Sequence, residues 1–284
     1  MTGPSTTWAA KALNALLLQQ AMQPGRPLRL ARTHSCKGFL FCAWLAVGLG
    51  AAVGVGGDAQ AEVLSPFAGA AAGEKLPAPW RVTGFPGGRK PVSQFAIEQL
   101  RGEAVLKVIT DKSYGSALHE VPPMVLAAGS KLHWRWRLEE PLLQSDLKKR
   151  EGDDSAIKVC ALFDMGTDKL GLLDRTQLRM ARGQTTDPIP AATLCYVWDH
   201  LLPVGTRLPN VYSPRVRFVV MDSGEQKLGQ WVSHERDLVA DFMQAFGHET
   251  DAMPPLIGIA VGADSDNTGG KSLAYVAAVV LVAK

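Results

Sequence analysis

Side chains that bind metals or carry redox chemistry are scarce in this chain of 284 residues, which has 4 cysteines and 6 histidines. The histidines show no zinc-ligand spacing and no serine or cysteine nucleophile motif beside them. Nucleotide-phosphate loops of the two common kinds are also absent. These absences argue against a zinc centre, against a nucleophilic hydrolase of familiar pattern and against a nucleotide-dependent enzyme.

Long apolar runs are equally rare, and the clearest one extends from Phe39 to Gly57. Bases precede it, Ala59-Gln60-Ala61 follows it, and five glycines interrupt it. That order is typical of a secretory signal, and glycine weakens a membrane-spanning helix. We therefore predict a cleaved signal peptide over 1–61, with Met22 as a second candidate start and an uncleaved anchor as the alternative. No permanent membrane anchor is expected.

The chain has no excess of positive charge once the predicted signal peptide, which we call the leader, is removed. The leader holds five of the 30 basic residues and one of the 27 acidic residues. The remaining 25 bases and 26 acids give a formal charge of −1, compared with +3 for the whole chain. No nucleic-acid partner is expected for such a chain. We predict a periplasmic or secreted protein. In that compartment the two remaining cysteines, Cys160 and Cys195, either form a disulfide or stay as buried thiols.

Alternating apolar and polar residues dominate the chain after a lead-in over 62–91 that is rich in Ala, Gly and Pro. We expect the lead-in to be exposed, with Trp80 and Phe85 as a local anchor. From Lys131 to Leu138 the alternation is strict, which places the bases on one face of a strand and the apolar residues on the other. Similar segments recur at Phe95 to Leu100, Ala104 to Thr110, Ala156 to Phe163, Leu194 to Trp198, Val216 to Met221, Leu256 to Val261 and Leu273 to Val282. Over 92–284 this pattern predicts an all-β antiparallel sandwich of the jelly-roll type.

One short helix is predicted inside this β-rich pattern. Asp237 can cap it, Gly247 can end it, and apolar residues recur on one face between them. We expect it to plug an open edge or end of the sandwich. The irregular stretch from Gly166 to Ala192, with a helical piece around Leu170 to Arg179, is a candidate lid or rim.

Several polar and aromatic segments follow one another along the chain: Trp134-Arg135-Trp136-Arg137, Gly152-Asp153-Asp154, Tyr196-Val197-Trp198, Trp231 with Glu235-Arg236-Asp237, Asp241-Phe242 through Phe246-Gly247, and Asp264 to Gly270. Together they resemble a bacterial family of exported proteins, the domain of unknown function 3047. The resemblance extends over roughly 92–284. It brings no assigned activity, so it implies no catalytic residues. A looser, fold-level likeness is to jelly-roll modules that bind sugars.

A cation-binding loop is suggested by Asp264, Asp266 and Asn267, which are followed by a threonine and two glycines. Calcium prefers six to eight hard oxygen ligands, and this loop could supply several. The pattern is not an EF-hand, because Tyr275 stands where the twelfth-position glutamate would be. The alternative is a polar turn whose side chains bond to their own backbone.

A ligand-binding face is suggested by the basic row of His133, Arg135 and Arg137 on the clearest strand. The adjacent acids Asp153 and Asp154 would repel each other unless one of these arginines, or the same cation, lies nearby. A solvated acidic turn is the alternative. An aromatic platform for a sugar ring is suggested by Trp198, which lies near a strand end.

A catalytic carboxyl pair is the weakest suggestion, and it rests on Glu235 and Asp237. Side chains two apart on a strand can face one cleft, and a retaining glycosidase holds its carboxyls about 5–5.5 Å apart. Asp237 is better suited to capping the helix. The leading hypothesis is therefore a non-enzymatic ligand-binding module of the cell envelope, with a glycan as one ligand class. A glycan hydrolase or lyase and a structural assembly partner are the alternatives.

Overall fold

The computed structural model of the chain describes residues 60–65, 67, 70–85, 90–168, 170–183 and 189–284. All of the predicted signal peptide except Gln60 and Ala61 lies outside these residues. Among the helices in the described ranges, none is both long and apolar enough to cross a membrane.

Strands make up almost half of the described chain. In order, its strands and α-helices are β1 (Gln60–Val63), β2 (Arg81–Thr83), β3 (Gln94–Leu100), β4 (Glu103–Asp111), β5 (Tyr114–Met124), β6 (Lys131–Glu140), β7 (Ser155–Phe163), α1 (Leu172–Arg182), β8 (Ala192–Asp199), β9 (Arg207–Pro209), β10 (Val216–Ser223), β11 (Val232–Asp237), α2 (Leu238–Phe246), β12 (Leu256–Asp264) and β13 (Lys271–Ala283).

The strands form two sheets. Sheet A has the order β11-β6-β13-β4-β3, with β1 paired to β13, and sheet B has the order β2-β5-β12-β7-β8-β10-β9. The chain crosses between the sheets at β1–β2, β2–β3, β4–β5, β5–β6, β6–β7, β10–β11, β11–β12 and β12–β13. Four strands in the order β4-β13-β6-β11 therefore face four in the order β5-β12-β7-β8, which is a jelly-roll sandwich. The predicted fold class is confirmed, although β8 and β10 pair in parallel and make sheet B mixed.

The strict alternation in β6 has the predicted consequence. Trp134 and Trp136 are fully buried between the sheets. The bases that alternate with them, His133, Arg135 and Arg137, remain partly exposed. The Trp134 ring stacks on Tyr196 of β8, with 4.9 Å between the ring centroids. This aromatic contact joins the two sheets across the core.

The lead-in differs from the exposed segment expected from its composition. Leu64 and Phe67 are buried in the main core together with Trp80, and β1 pairs with β13 while β2 pairs with β5. Apolar residues at a few positions thus suffice to bind an otherwise irregular segment to both sheets.

Two α-helices accompany the sheets in the described ranges: α2 is the predicted plug helix, and α1 lies where a helical piece was expected around Leu170 to Arg179. In α2 the Asp237 side chain accepts a 2.9 Å hydrogen bond from the backbone N–H of Ala240, as a helix cap should. The helix α1 lies in the stretch proposed as a lid. It buries Leu178 and exposes Leu172 and Leu173.

Sheet B is covered on both faces. Its inner face contributes to the main core, and a second apolar cluster covers its outer face. Cys160 and Cys195 lie directly opposite each other on β7 and β8 and form a disulfide within this outer cluster. Of the two states left open by the sequence, the disulfide is therefore the one in the structure.

Candidate functional site

The predicted basic row lies on the outer face of sheet A. Arg135 forms an ion pair with Glu103, and its guanidinium lies 4.7 Å from the centroid of the Trp231 ring. Arg137 pairs with Glu139. His133 Nδ1 lies 3.4 Å from a carboxylate oxygen of Glu235.

These partners correct one part of the prediction. Arg135 and Arg137 do not compensate Asp153 and Asp154, because β6 belongs to sheet A while the two acids precede β7 of sheet B. The basic row is instead part of a surface on which positive and negative side chains alternate. Surface pairs of this kind contribute little to stability.

Trp198 is not the exposed platform that its position near a strand end suggested. Its side chain is 3% exposed, and its indole N–H donates a 3.0 Å hydrogen bond to the carbonyl of Gly224. It also packs near Trp136 in the core. A buried indole cannot stack on a sugar ring, so Trp198 is not the ligand contact that the sequence predicted.

Glu235 and Asp237, the predicted catalytic carboxyls, each have a structural role of their own. Asp237 caps α2, and the exposed Glu235 pairs with Lys131 at the edge of sheet A. Asp153 and Asp154 lie at the start of β7 in the other sheet. These four acids therefore do not line one cleft.

Asp153 and Asp154 instead join the turn between β12 and β13. Asp154 accepts hydrogen bonds from the backbone N–H groups of Asn267 (3.2 Å) and Thr268 (2.6 Å). Asp153 accepts two from the side-chain amide of Asn210, at 2.9 and 2.7 Å. Antiparallel pairing of β7 with β12 explains this meeting, because it brings the start of one strand beside the end of the other.

Three carboxylates converge at this place. One oxygen each from Asp154, Asp264 and Asp266 lies within 4.8 Å of the others. Lys158 Nζ approaches Asp264 Oδ1 at 2.8 Å, and Lys90 pairs with Asp266. We call Asp154, Asp264 and Asp266 the aspartate cluster.

Asn267 takes a different part from the ligand role predicted for it. Its amide nitrogen donates to the Asp153 carbonyl (2.9 Å) and to Asp154 Oδ1 (3.2 Å). Its oxygen lies 3.4 Å from the Tyr212 hydroxyl, which donates its proton to the Arg150 carbonyl at 2.7 Å. Asn267 thus supports the loop, and Asp154 is the third carboxylate.

Burial dominates the electrostatics beside the cluster. It raises the pKa of Asp153 to about 7, helped by the charge of Asp264. It also raises the pKa of Asp264 to about 6 against the opposing charge of Lys158. Both carboxyls line a cavity of about 30 Å³ together with Tyr114 and Ser116. That volume holds one or two water molecules and excludes a sugar ring.

A larger opening that sequence reasoning missed lies at the edge of the sandwich, between β9, β10 and α2. Its volume is about 290 Å³. Polar groups on its wall come from Arg207, Arg217, Gln244 and His248, and we call it the arginine groove. Its apolar wall is formed by Leu194, Leu208, Pro209, Pro214, Phe218, Val219 and Ala245.

Both arginines of the groove are held in place by acids behind them. Arg207 Nη2 donates to Asp241 Oδ1 at 2.6 Å. Arg217 pairs with Glu249, and its guanidinium carbon lies 4.1 Å from the centroid of the Phe246 ring. Side chains fixed in this way lose little further freedom when a ligand binds.

The model of a family of proteins of unknown function, DUF3047, matches residues 78–280. The chain belongs to this family. The match covers both sheets, the aspartate cluster and the arginine groove. No curated protein matches the sequence significantly.

Among solved structures, this DUF3047 member is similar to a family 11 carbohydrate-binding module of Clostridium thermocellum in complex with a mixed-linked tetrasaccharide. The identity is 9%, the TM-score 0.39, and the match covers 78% of this chain and 95% of that one. A family 29 module of Piromyces equi matches at 7% identity and TM-score 0.33, covering 80% and 91%. The K1 adhesin domain of Lys-gingipain from Porphyromonas gingivalis matches at 8% and 0.34, covering 80% and 98%. At these scores the likenesses say nothing about what this chain binds.

Proposed function

We propose that this protein is an exported, ligand-binding β-sandwich that takes a polar or anionic ligand, with acidic glycans of the cell envelope as the ligand class, in the arginine groove. One observation carries the assignment. The guanidinium groups of Arg207 and Arg217 line the same groove, and no acid is among the described residues that line it. Two cations on one apolar wall favour a ligand that carries anionic oxygens.

The composition of the groove suits an acidic sugar. Each guanidinium has five N–H donors, and the ion pairs to Asp241 and Glu249 use only some of them. A carboxylate accepts two parallel N–H groups of an arginine. The prolines and Phe218 offer an apolar wall to the C–H face of a ring. Gln244 and His248 stand at the exposed rim, where they can reach hydroxyl groups.

The volume of about 290 Å³ limits what the groove can take. Ligand pockets generally measure about 300–1,000 Å³, so this groove is at the lower end. It suits one or two sugar units of a longer chain. The open edge of the sandwich would let the remaining units extend into solvent.

The proposed location outside the cytoplasm has independent support. The Cys160–Cys195 disulfide is of a kind that persists in oxidising compartments. A leader-like sequence precedes the described residues. Mass spectrometry of the protein from the bacterial envelope fraction tests this part. A mature N-terminus near Glu62 is expected, and retention of the whole leader would contradict cleavage.

The ligand is tested by calorimetry with an oligogalacturonate and a neutral cello-oligosaccharide of equal length. We expect binding of the acidic oligosaccharide only. Arg207→Gln should weaken it at least about tenfold, because a hydrogen bond to a charged group is removed. Asp241 keeps its bonds from Arg236 and Tyr196 in that variant, so the fold should persist.

Arg135→Gln is the matched control, since it removes the same charge from the outer face of sheet A. It should leave the affinity unchanged. Loss of binding in Arg135→Gln but not in Arg207→Gln would move the ligand to the basic row. If neither oligosaccharide binds and a wider glycan array shows no binding, the proposal is wrong.

A further inference from the structure

The aspartate cluster brings together parts of the chain that are far apart in sequence. Asp154 comes from the turn before β7, Asp264 ends β12, and Asp266 lies in the turn between β12 and β13. One oxygen from each lies within 4.8 Å of the others. Oxygens on opposite sides of one Ca²⁺ ion are about 5 Å apart, so a single ion can contact all three.

A second observation points to a cation. Asp266 Oδ1 is buried and has no hydrogen-bond partner within the described ranges, and the side chain is 2% exposed. Its other oxygen, Oδ2, pairs with Lys90. A buried carboxylate oxygen without a donor is costly, and such oxygens are rare in folded proteins.

The count of nearby charges points the same way. Two ammonium groups bond to the cluster directly, Lys158 to Asp264 and Lys90 to Asp266. Asp154, the third member of the cluster, is 1% exposed and has no directly bonded base among the described residues. A cation beside it would supply the missing positive charge.

A small cavity beside the cluster adds a further unsatisfied group. Ser116 Oγ lines it with Asp264 and is buried, again without a partner within the portion of the chain that is described. At about 30 Å³ the cavity holds water. Water at this place could complete the coordination of an ion, since calcium takes six to eight oxygens.

We propose that Asp154, Asp264 and Asp266 bind one Ca²⁺ ion. The ligands are all hard oxygens, which suits Ca²⁺ rather than a transition metal. The ion links the β12–β13 turn to the start of β7 and so fixes one end of sheet B. The site is separate from the arginine groove, and it stands or falls independently of the proposed glycan ligand.

Thermal melting of the purified protein tests the site after treatment with a chelator and dialysis. We compare CaCl₂, MgCl₂ and no added metal, with CaCl₂ calorimetry alongside. Because Ca²⁺ would bind only the folded state, about a hundredfold excess over its dissociation constant should raise the midpoint by about 5–10 °C. Calorimetry should give one site per chain.

Asp266→Asn should abolish the calcium response. Asp111→Asn is the matched control, since Asp111 is an exposed carboxylate at the end of β4, and it should respond as the wild type does. If Asp266→Asn does not fold, terbium luminescence locates the site in the wild type. Tyr114 lines the cavity with Asp264 and should sensitise the emission, and Ca²⁺ should compete it away.

Three results would overturn the proposal. The first is an identical melting midpoint in CaCl₂ and in chelator, with no heat of binding. The second is an undiminished calcium response in Asp266→Asn, which would place the ion elsewhere. The third is an equal response to MgCl₂ at the same concentration, which would remove the assignment to calcium.

Discussion

Trp136 of sheet A donates a 2.8 Å hydrogen bond from its indole nitrogen to Asp222 Oδ2 of sheet B. Asp222 is fully buried, and it also bonds to His234 and Lys227, both at 2.7 Å. A bulge in β10 after Val220 places Asp222 opposite Trp198, whose side chain faces the core. A fully buried carboxylate thus joins the two sheets.

Removing this carboxylate should destabilise the sandwich strongly. Asp222→Ala leaves the Trp136 N–H and the His234 ring without their acceptor, and breaking a buried charge network costs about 3 kcal/mol or more. Urea unfolding measures the change. Asp111→Ala, at an exposed carboxylate, should stay within about 0.5 kcal/mol of the wild type. A similarly small change for Asp222→Ala would contradict the assigned role.

The same network should appear in the acid dependence of stability. Burial alone would raise the pKa of Asp222, yet the hydrogen bonds from His234, Lys227 and Trp136 outweigh it and lower the pKa below its usual value. A group whose pKa is lowered by folding stabilises the protein above its unfolded pKa, about 3.9, and loses this contribution as the pH falls through the folded value.

Asp222→Asn removes that titration while keeping the shape of the side chain. The wild type should therefore exceed the variant in free energy of unfolding at pH 6, and the gap should shrink as the pH falls below about 4. Urea titrations at several pH values measure it. A gap that stays constant down to pH 2 would show that ionisation of Asp222 contributes nothing.

The two acids at the end of β11 should differ in their effect on stability. Asp237→Ala removes the cap of α2 and should cost about 1 kcal/mol. Glu235→Ala breaks an exposed ion pair with Lys131 and should cost less than about 0.5 kcal/mol. Thermal unfolding of both variants makes the comparison. Equal losses of stability in the two variants would contradict the different roles assigned to Asp237 and Glu235.

The disulfide should stabilise the protein through its effect on the unfolded chain. It joins residues separated by 35 positions, and closing a loop of that length contributes about 3–4 kcal/mol in the chain-entropy model. The double variant Cys160→Ala with Cys195→Ala should unfold at a correspondingly lower urea concentration. A reductant should then destabilise the wild type and leave the variant unchanged. If the reductant has the same effect on both, the disulfide is not the cause.

The sheets were predictable where one face of a strand is apolar and the other polar. The segment that became β6 shows this, since its period of two is strict from Lys131 to Leu138. β5 was missed because Pro122 and Pro123 lie near its end, and prolines are rare inside strands. β11 shows no alternation of its own, because Ser233, His234 and Glu235 are polar on both faces of an edge strand.

Individual residues of the candidate sites could be predicted from the sequence, but their arrangement in space could not. Asp264 and Asp266 were identified from their loop, but their meeting with Asp154 depends on the pairing of β12 with β7, which no local pattern contains. The strand pattern of Val216 to Met221 stops one residue before Asp222, because a bulge breaks the alternation that would show Asp222 facing inward. The arginine groove depends on β9, β10 and α2 coming together at one edge.

The position of the last two strands has a consequence for how the protein assembles. β13 lies between β4 and β6, and β12 lies between β5 and β7. Neither sheet is therefore continuous until β12 and β13 have been synthesised. Until then β4 and β6 in one sheet, and β5 and β7 in the other, lack the strand that lies between them, and the long-range pairings that join them cannot form.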